Sequence, residues 1–166
     1  MTTPPAGAGS SLCDWKRRLG DHYRSAGHAE LALQAYQAAL SFHDEMACEQ
    51  ASRSAAGALA LELRNFSQAE QLLAGIALPV AVVNHGFALL GLSRPADALA
   101  DFDGVLARDE SNDEATFGRG MCLLALGRMQ EADAAFATLL ARSPGHVSAE
   151  VARQQRARLR QLLEKH

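Results

Sequence analysis

The stretch Ala115–Pro144, ATFGRGMCLLALGRMQEADAAFATLLARSP, decides how this chain folds. Apolar side chains recur at intervals of three and four residues on both sides of Gly127, which is typical of amphipathic helices. Gly127 provides the left-handed residue that ends a helix at little cost, and Pro144 stops the helix that follows. The stretch therefore predicts two helices joined by a tight turn.

The same pattern is repeated along the chain. Gly120 precedes Ala132 by a sequence separation that recurs unchanged in three more pairs: Gly20 and Ala32, Gly57 and Ala69, and Gly86 and Ala98. A glycine inside a helix costs roughly 1 kcal/mol relative to alanine, so four glycines in phase require a physical reason. We expect each one to lie where a neighbouring helix packs closely. The step between successive glycines is longest from Gly20 to Gly57 and shortest from Gly57 to Gly86, so length changes are expected in the connections.

This pattern resembles the tetratricopeptide repeat, a helix–turn–helix unit of about 34 residues. The resemblance implies an all-α, right-handed superhelix of about four helix pairs over residues 12–146, with repeats at about 13–46, 50–78, 79–112 and 113–146. Residues 147–166 are predicted to form a C-terminal capping helix with a polar outer face. Residues 1–11 are small, polar and rich in Pro and Gly, which predicts a disordered tail.

Local signals refine the helix ends. Ser10 or Ser11 can cap the first helix, and Pro79 fits the first turn of a helix, where its missing N–H is not needed. Arg64 and Asn65 replace the turn glycine of the second repeat. Asn65 is expected to take the left-handed conformation, because asparagine tolerates it.

Composition excludes several classes of protein. The 166 residues carry a net charge of −3, which argues against nucleic acid as the main partner. Neither a signal peptide nor an apolar run of membrane-spanning length is present, so a cytoplasmic protein without membrane contact is expected. Cys13, Cys48 and Cys122 are odd in number and widely spaced, which predicts buried free thiols rather than a disulfide or zinc framework.

No motif for catalysis is present. The chain has no serine elbow, phosphate loop or pair of histidines at metal-binding spacing, so neither an enzyme nor a cofactor is expected. The segment His43–Glu49 has residues of metal-binding type, but without ligand spacing an acidic helix start is the simpler interpretation. His85 falls within a repeat helix, which favours a packed histidine over a catalytic base. The arginines of the last helix suit a solvated cap, with nucleic acid or lipid binding as the alternative.

The resemblance also implies a concave groove lined by the first helix of each pair. Carried over position by position, the groove is charged at its N-terminal end and apolar through its C-terminal half. In the third and fourth repeats, Lys, Arg and Asn are largely missing at the positions where members of the family hold a C-terminal carboxylate, and only Asn84 is polar at a matching site. The predicted partner is therefore a protein segment, either an amphipathic helix or an apolar peptide. Coverage of the groove by this chain or by a second copy, as in a homodimer, stays open. The predicted groove residues are Arg17, Asp21, Arg24, Ala58, Leu61, Val83, Phe87, Leu90, Phe117, Met121 and Leu124.

A small acidic chain of this kind is similar to the chaperones of bacterial type III secretion, which hold needle subunits or translocators before export. The shortened second repeat resembles the needle-subunit chaperones, and the fourth repeat with the final helix resembles the translocator chaperones. The alternative function is a general scaffold or adaptor in assembly of a larger bacterial complex, such as a pilus or envelope machine.

Overall fold

The computed structural model describes residues 11–42 and 46–163, and within these ranges it contains nine helices and no strand. The predicted all-α fold is thus confirmed. Residues 1–10 of the predicted tail and His43–Glu45 of the suspected metal segment lie outside the described residues. The helices are α1 (Leu12–Ser25), α2 (Ala29–Leu40), α3 (Met46–Glu62), α4 (Phe66–Leu73), α5 (Pro79–Gly91), α6 (Pro95–Leu106), α7 (Asp113–Ala125), α8 (Met129–Arg142) and α9 (Ala149–Leu163).

The chain divides into two compact units, Met1–Ala77 and Leu78–His166. The first unit holds α1 to α4 and the second holds α5 to α9. Consecutive helices pack against each other as pairs in both units, and α9 packs on α8 at the end of the second. A C-terminal helix therefore follows the last pair, as predicted.

Helix ends follow the local sequence signals. The Ser11 side chain accepts a hydrogen bond from the backbone N–H of Asp14 at 3.2 Å, so Ser11 is the cap of α1. Asn112 caps α7 in the same way, and Pro79 occupies the first turn of α5. The α8 helix ends at Arg142, shortly before Pro144. These ends leave the helix pairs joined by short connections.

The four phased glycines lie at helix–helix contacts, as the spacing predicted. A Cβ atom built on each glycine would come within 2.5–2.7 Å of a large side chain on the second helix of its own pair. That side chain follows its glycine by the same sequence separation in every pair, and it is fully or almost fully buried. The absence of a side chain at the glycine thus lets two helices approach closely. The contacts are Gly20 with Tyr36, Gly57 with Leu73, Gly86 with Phe102, and Gly120 with Phe136.

A fifth glycine, Gly118, forms a contact that the repeat pattern did not single out. A Cβ atom at Gly118 would overlap the ring of Phe102, which belongs to the preceding helix pair. Phe102 is fully buried and therefore lies between two glycines, Gly86 and Gly118. This ring joins the α5–α6 pair to the α7–α8 pair.

Every helix pair turns through a residue with positive φ, placed at the same offset after each phased glycine. These turn residues are Gly27, Arg64, Ser93 and Gly127, with φ of 79°, 60°, 59° and 74°. The N–H of the next residue donates to a carbonyl five residues back at each turn, which is the Schellman end of a helix. The expectation for Asn65 was wrong, because Arg64 takes the left-handed conformation. Asn65 instead caps α4, and its side chain accepts from the N–H of Gln68.

Two cysteines in the first unit form a disulfide, which corrects the prediction of three free thiols. Cys13 on α1 and Cys48 on α3 are bonded, and their Cα atoms lie 6.3 Å apart. The pairing depends on contact between α1 and α3, which are not neighbours in the chain. The Ser52 hydroxyl is buried beside the two sulfurs, at 4.0 Å from Cys13 Sγ and 3.8 Å from Cys48 Sγ.

The close contact at Gly120 can be tested by substitution. We expect Gly120→Ala to lower the free energy of unfolding by about 1–3 kcal/mol, because the added methyl group overlaps the buried Phe136 ring. The matched control is Gly104→Ala in α6, where a Cβ atom would meet nothing within 4 Å. That variant should gain up to about 1 kcal/mol from helix propensity. Urea unfolding measures both, and a stabilised Gly120→Ala would contradict the contact.

The strained turn at Ser93 provides a second test. A left-handed conformation costs a residue with a side chain roughly 1–2 kcal/mol, and glycine avoids most of this cost. We therefore expect Ser93→Gly to raise the free energy of unfolding by about 0.5–1 kcal/mol. This gain is smaller than the full cost of the left-handed conformation, because glycine is also more flexible in the unfolded chain. The control Ser93→Ala retains the β-carbon and should give no gain. Equal stability of the two variants would show that φ at this position is not strained.

Candidate binding site

In the first unit, the charged groove residues of α1 are bound to neighbours in the same unit. Arg17 donates to Asp14 and Asp21, each at 2.8 Å. Asp21 also accepts from the hydroxyl of Tyr36 at 2.8 Å, and Arg24 pairs with Glu62 on α3. In this network, the charged side chains of Arg17, Asp21 and Arg24 therefore already have hydrogen-bond or ion-pair partners within the unit.

The network also changes the titration of its members. The hydrogen bond from Arg17 lowers the pKa of Asp14 below its ordinary value, although burial opposes the shift. Burial, followed by the hydrogen bond to Asp21, raises the pKa of Tyr36 to about 12. The lowered pKa favours the charged form of Asp14, and the raised pKa favours the neutral form of Tyr36. The remaining predicted groove residues of this unit, Ala58 and Leu61 on α3, are half-buried.

In the second unit, five predicted groove residues are half-buried and apolar, and we call them the α5–α7 face. They lie at intervals of three and four residues on each helix, so each set shares one side of its helix. The face consists of Phe87 and Leu90 on α5 and Phe117, Met121 and Leu124 on α7. Val83, the sixth predicted residue, is 5% exposed and belongs to the core cluster beneath, so it presents almost no surface.

Aromatic contacts hold the α5–α7 face on the core. The rings of Phe87 and Phe117 lie 6.5 Å apart between centroids, which connects α5 to α7. Phe87 also contacts the buried ring of Phe102 at 5.1 Å, and Phe117 contacts buried Phe136 at 6.0 Å. The two half-buried rings are therefore anchored from below by the same side chains that pack on the phased glycines. Their positions are set before any partner arrives.

The C-terminal helix contributes a cleft that the sequence pattern did not predict. Leu124 faces four residues of α9 across a space of about 220 Å³, which we call the α7–α9 cleft. The atoms that line this space are mostly apolar, although two of the lining residues are polar or charged. The α9 residues occur at positions i, i+3, i+4 and i+7, a signal visible in the sequence but assigned there to a solvated cap. The lining residues are Leu124, Gln155, Arg158, Leu159 and Leu162.

The arginines of α9 differ in what they bind. Arg153 donates to Glu150 and to the carbonyl of Pro144, and Arg156 pairs with Asp133 on α8 at 2.7 Å. Arg158 and Arg160 are exposed and form no ion pair with the residues that the structure describes. The basic stripe seen in the sequence is thus partly used to attach α9 to α8.

Two residues with potential chemistry are half-buried or buried in the second unit. The Nδ1 atom of His85 lies 2.6 Å from Asp101 Oδ2, and its buried Nε2 has no hydrogen-bond partner among the described residues. Cys122 is fully buried, and burial, with smaller effects from Asp103 and Asp101, raises the pKa of its thiol to about 12. Over residues 11–42 and 46–163, no three potential metal ligands come together. Nor does any helix in those ranges have the length and apolar character of a membrane span.

Comparisons with known proteins agree with this architecture. Residues 84–147 match the tetratricopeptide repeat family. No curated protein sequence gave a significant match. Similar solved structures include YrrB, described as a tetratricopeptide-repeat protein with an unusual peptide-binding site. It is 24% identical, with a TM-score of 0.68 over 90% of this chain and 82% of YrrB.

Two further structures show the same fold. A tetratricopeptide-repeat protein from Parabacteroides merdae is 22% identical, with a TM-score of 0.76 over 95% of this chain and 61% of that protein. MamA from Desulfovibrio magneticus is 13% identical, with a TM-score of 0.74 over 96% of this chain and 99% of the MamA fragment. The chain therefore has the tetratricopeptide-repeat fold.

The state of the cysteines can be measured directly. In protein kept without reductant and then unfolded, we expect one reactive thiol per chain, from Cys122, and two more after reduction. In the folded protein at pH 8, the raised pKa lowers the thiolate fraction of Cys122 roughly a thousandfold, so its reaction with Ellman's reagent should be slow. Three thiols in unfolded, unreduced protein would contradict the disulfide. Rapid reaction before unfolding would contradict the burial of Cys122.

Proposed function

We propose that the protein is a non-catalytic interaction module and that its α5–α7 face binds the apolar side of an amphipathic helix from a protein partner. The observation that carries this proposal is the set of anchored, half-buried rings of Phe87 and Phe117 on adjoining helices. In helix-in-groove recognition, an amphipathic helix lays its apolar side on a hydrophobic surface of this kind. Met121 adds a side chain that adapts to the shape of the partner.

Two observations support a partner of this chemistry. The charges of the predicted groove in the first unit are already paired, so they are poorly suited to hold a C-terminal carboxylate. YrrB, which shares the fold, is described as having a peptide-binding site. An extended apolar peptide would use the same face, but the continuous apolar side of an amphipathic helix matches the row that Phe117, Met121 and Leu124 form along one side of α7.

Two biological roles fit such a module. A chaperone for a type III secretion substrate, either needle subunit or translocator, would work in the cytoplasm and hold one small helical client. A scaffold in a pilus or envelope complex would join several folded proteins. The Cys13–Cys48 disulfide favours the scaffold, because disulfides persist in oxidising compartments and are rare in the cytosol.

These roles can be separated in the native host. Cells are treated with an alkylating reagent before lysis, and mass spectrometry then measures how much of the Cys13–Cys48 pair is oxidised. An oxidised pair together with several folded proteins in a pull-down supports the scaffold. A reduced pair together with one small helical client supports the secretion chaperone and a cytoplasmic location.

The binding face itself is tested by Phe117→Ala. The probe is the tightest-binding peptide selected from a phage-displayed library of short random sequences, each long enough to form about four helical turns, and it is labelled with fluorescein. We expect its affinity to fall about thirtyfold, because truncating a central aromatic anchor costs about 2 kcal/mol or more. The melting temperature should fall less than in Phe136→Ala, whose fully buried ring is worth roughly 3–5 kcal/mol.

Two further variants serve as a control outside the face and as a replacement if Phe117→Ala does not fold. Phe66→Ala removes a half-buried ring from α4, outside the face, and should leave peptide affinity unchanged. If Phe117→Ala fails to fold, Met121→Ala removes a neighbouring contact with less loss of packing. Unchanged affinity in folded Phe117→Ala or Met121→Ala rejects the α5–α7 face as the site. Sedimentation velocity shows whether the face is instead covered by a second copy of the chain.

A further inference from the structure

The α7–α9 cleft continues the α5–α7 face onto the last helix. Phe117, Met121 and Leu124 follow one another along a single side of α7, and Leu124 belongs to both the face and the cleft. The volume of about 220 Å³ is below the roughly 300–1,000 Å³ of pockets that bind small molecules. The cleft is therefore of a size that suits one apolar side chain rather than a separate ligand.

An arginine is among the residues that line the cleft. Arg158 lines the cleft, is exposed, and forms no ion pair with the residues that the structure describes. Gln155, one turn earlier on the same side of α9, adds an amide that can donate or accept a hydrogen bond. Guanidinium groups bind carboxylates well because their planar donors match both oxygens. The cleft thus combines apolar space with an arginine that has no ion-pair partner in the described part of the chain, which favours an apolar side chain next to a carboxylate.

We propose that the α7–α9 cleft receives an apolar side chain of the helix bound on the α5–α7 face, and that Arg158 pairs with an Asp or Glu within one turn of that side chain. This inference rests on the proposed function and specifies its partner. The partner helix must carry a carboxylate at the end of its apolar side. Arg158 then sets the direction in which the helix lies, because a reversed helix would place the carboxylate away from α9.

Another cleft in the second unit is less suited to an apolar side chain beside a carboxylate. A more open space of about 240 Å³ is lined by residues of α6, α7 and α8 together with Glu110. Its cation, Arg119, pairs with Asp103 at 2.8 Å, and the carboxylate of Glu110 would repel an acidic ligand. Nucleic acid is a less suitable partner for α9 than an acidic helix, because two of the four arginines on α9 already bind other groups of this chain.

The test uses the full chain and the selected peptide described above, with affinity measured by fluorescence anisotropy. We expect Arg158→Gln to weaken binding about tenfold, with a larger loss at low salt. The matched control Arg160→Gln removes an exposed arginine of the same helix that does not line the cleft, and it should change affinity by less than about twofold. Changing the acidic residue of the peptide to its amide should give the same loss, and combining both changes should add little more.

The outcomes separate this inference from the proposed function. If Arg158→Gln binds normally while Phe117→Ala weakens binding, the face is a binding site and the cleft inference is wrong. If neither variant weakens binding, or if no peptide is selected, both are wrong. Equal losses from Arg158→Gln and Arg160→Gln would indicate general attraction to a basic helix and reject the specific pair. A dimer that Arg158→Gln dissociates would make a second copy the occupant and overturn the inference.

Discussion

The packing of a glycine on the first helix against a large side chain on the second holds every helix pair of this chain together. Because a glycine presents no side chain, the facing ring or leucine fills the space between two backbones. The cost of glycine in a helix is thus offset by close packing of the partner side chain. In the second unit the same buried rings, Phe102 and Phe136, support Phe87 and Phe117 from below. The geometry of the candidate binding face follows directly from these contacts.

The two units use their polar and apolar residues differently. In the first unit, Arg17, Asp21 and Arg24 form ion pairs with other residues of the unit. In the second unit, the corresponding side of α5 and α7 is apolar and half-buried. A contiguous, partly exposed apolar surface favours association with a partner that covers it. This contrast, rather than any single motif, distinguishes the α5–α7 face as the place where a partner helix would bind.

Much of the fold could be predicted because its main contact is local in sequence. The fixed separation between Gly120 and Ala132 is visible without a structure, and it recurs in phase. The remaining features depend on contacts between helices that are distant in the chain. Cys13 pairs with Cys48 because α1 meets α3, and an odd count of widely spaced cysteines conceals that pairing. Likewise, Arg158 and Leu159 looked like part of a solvated cap until the packing of α9 placed them opposite Leu124.

The position of Phe102 between Gly86 and Gly118 has a consequence for how this part of the chain unfolds. In stacked helix pairs, stability is approximately the sum of a contribution from each pair and one from each interface. Phe102 contributes to both kinds, because one ring fills the α5–α6 pair and also seals it against α7. Opening either pair withdraws support from the other, so the two should open cooperatively. Cooperative opening of this kind lowers the population of half-open forms, whose exposed apolar side chains promote aggregation.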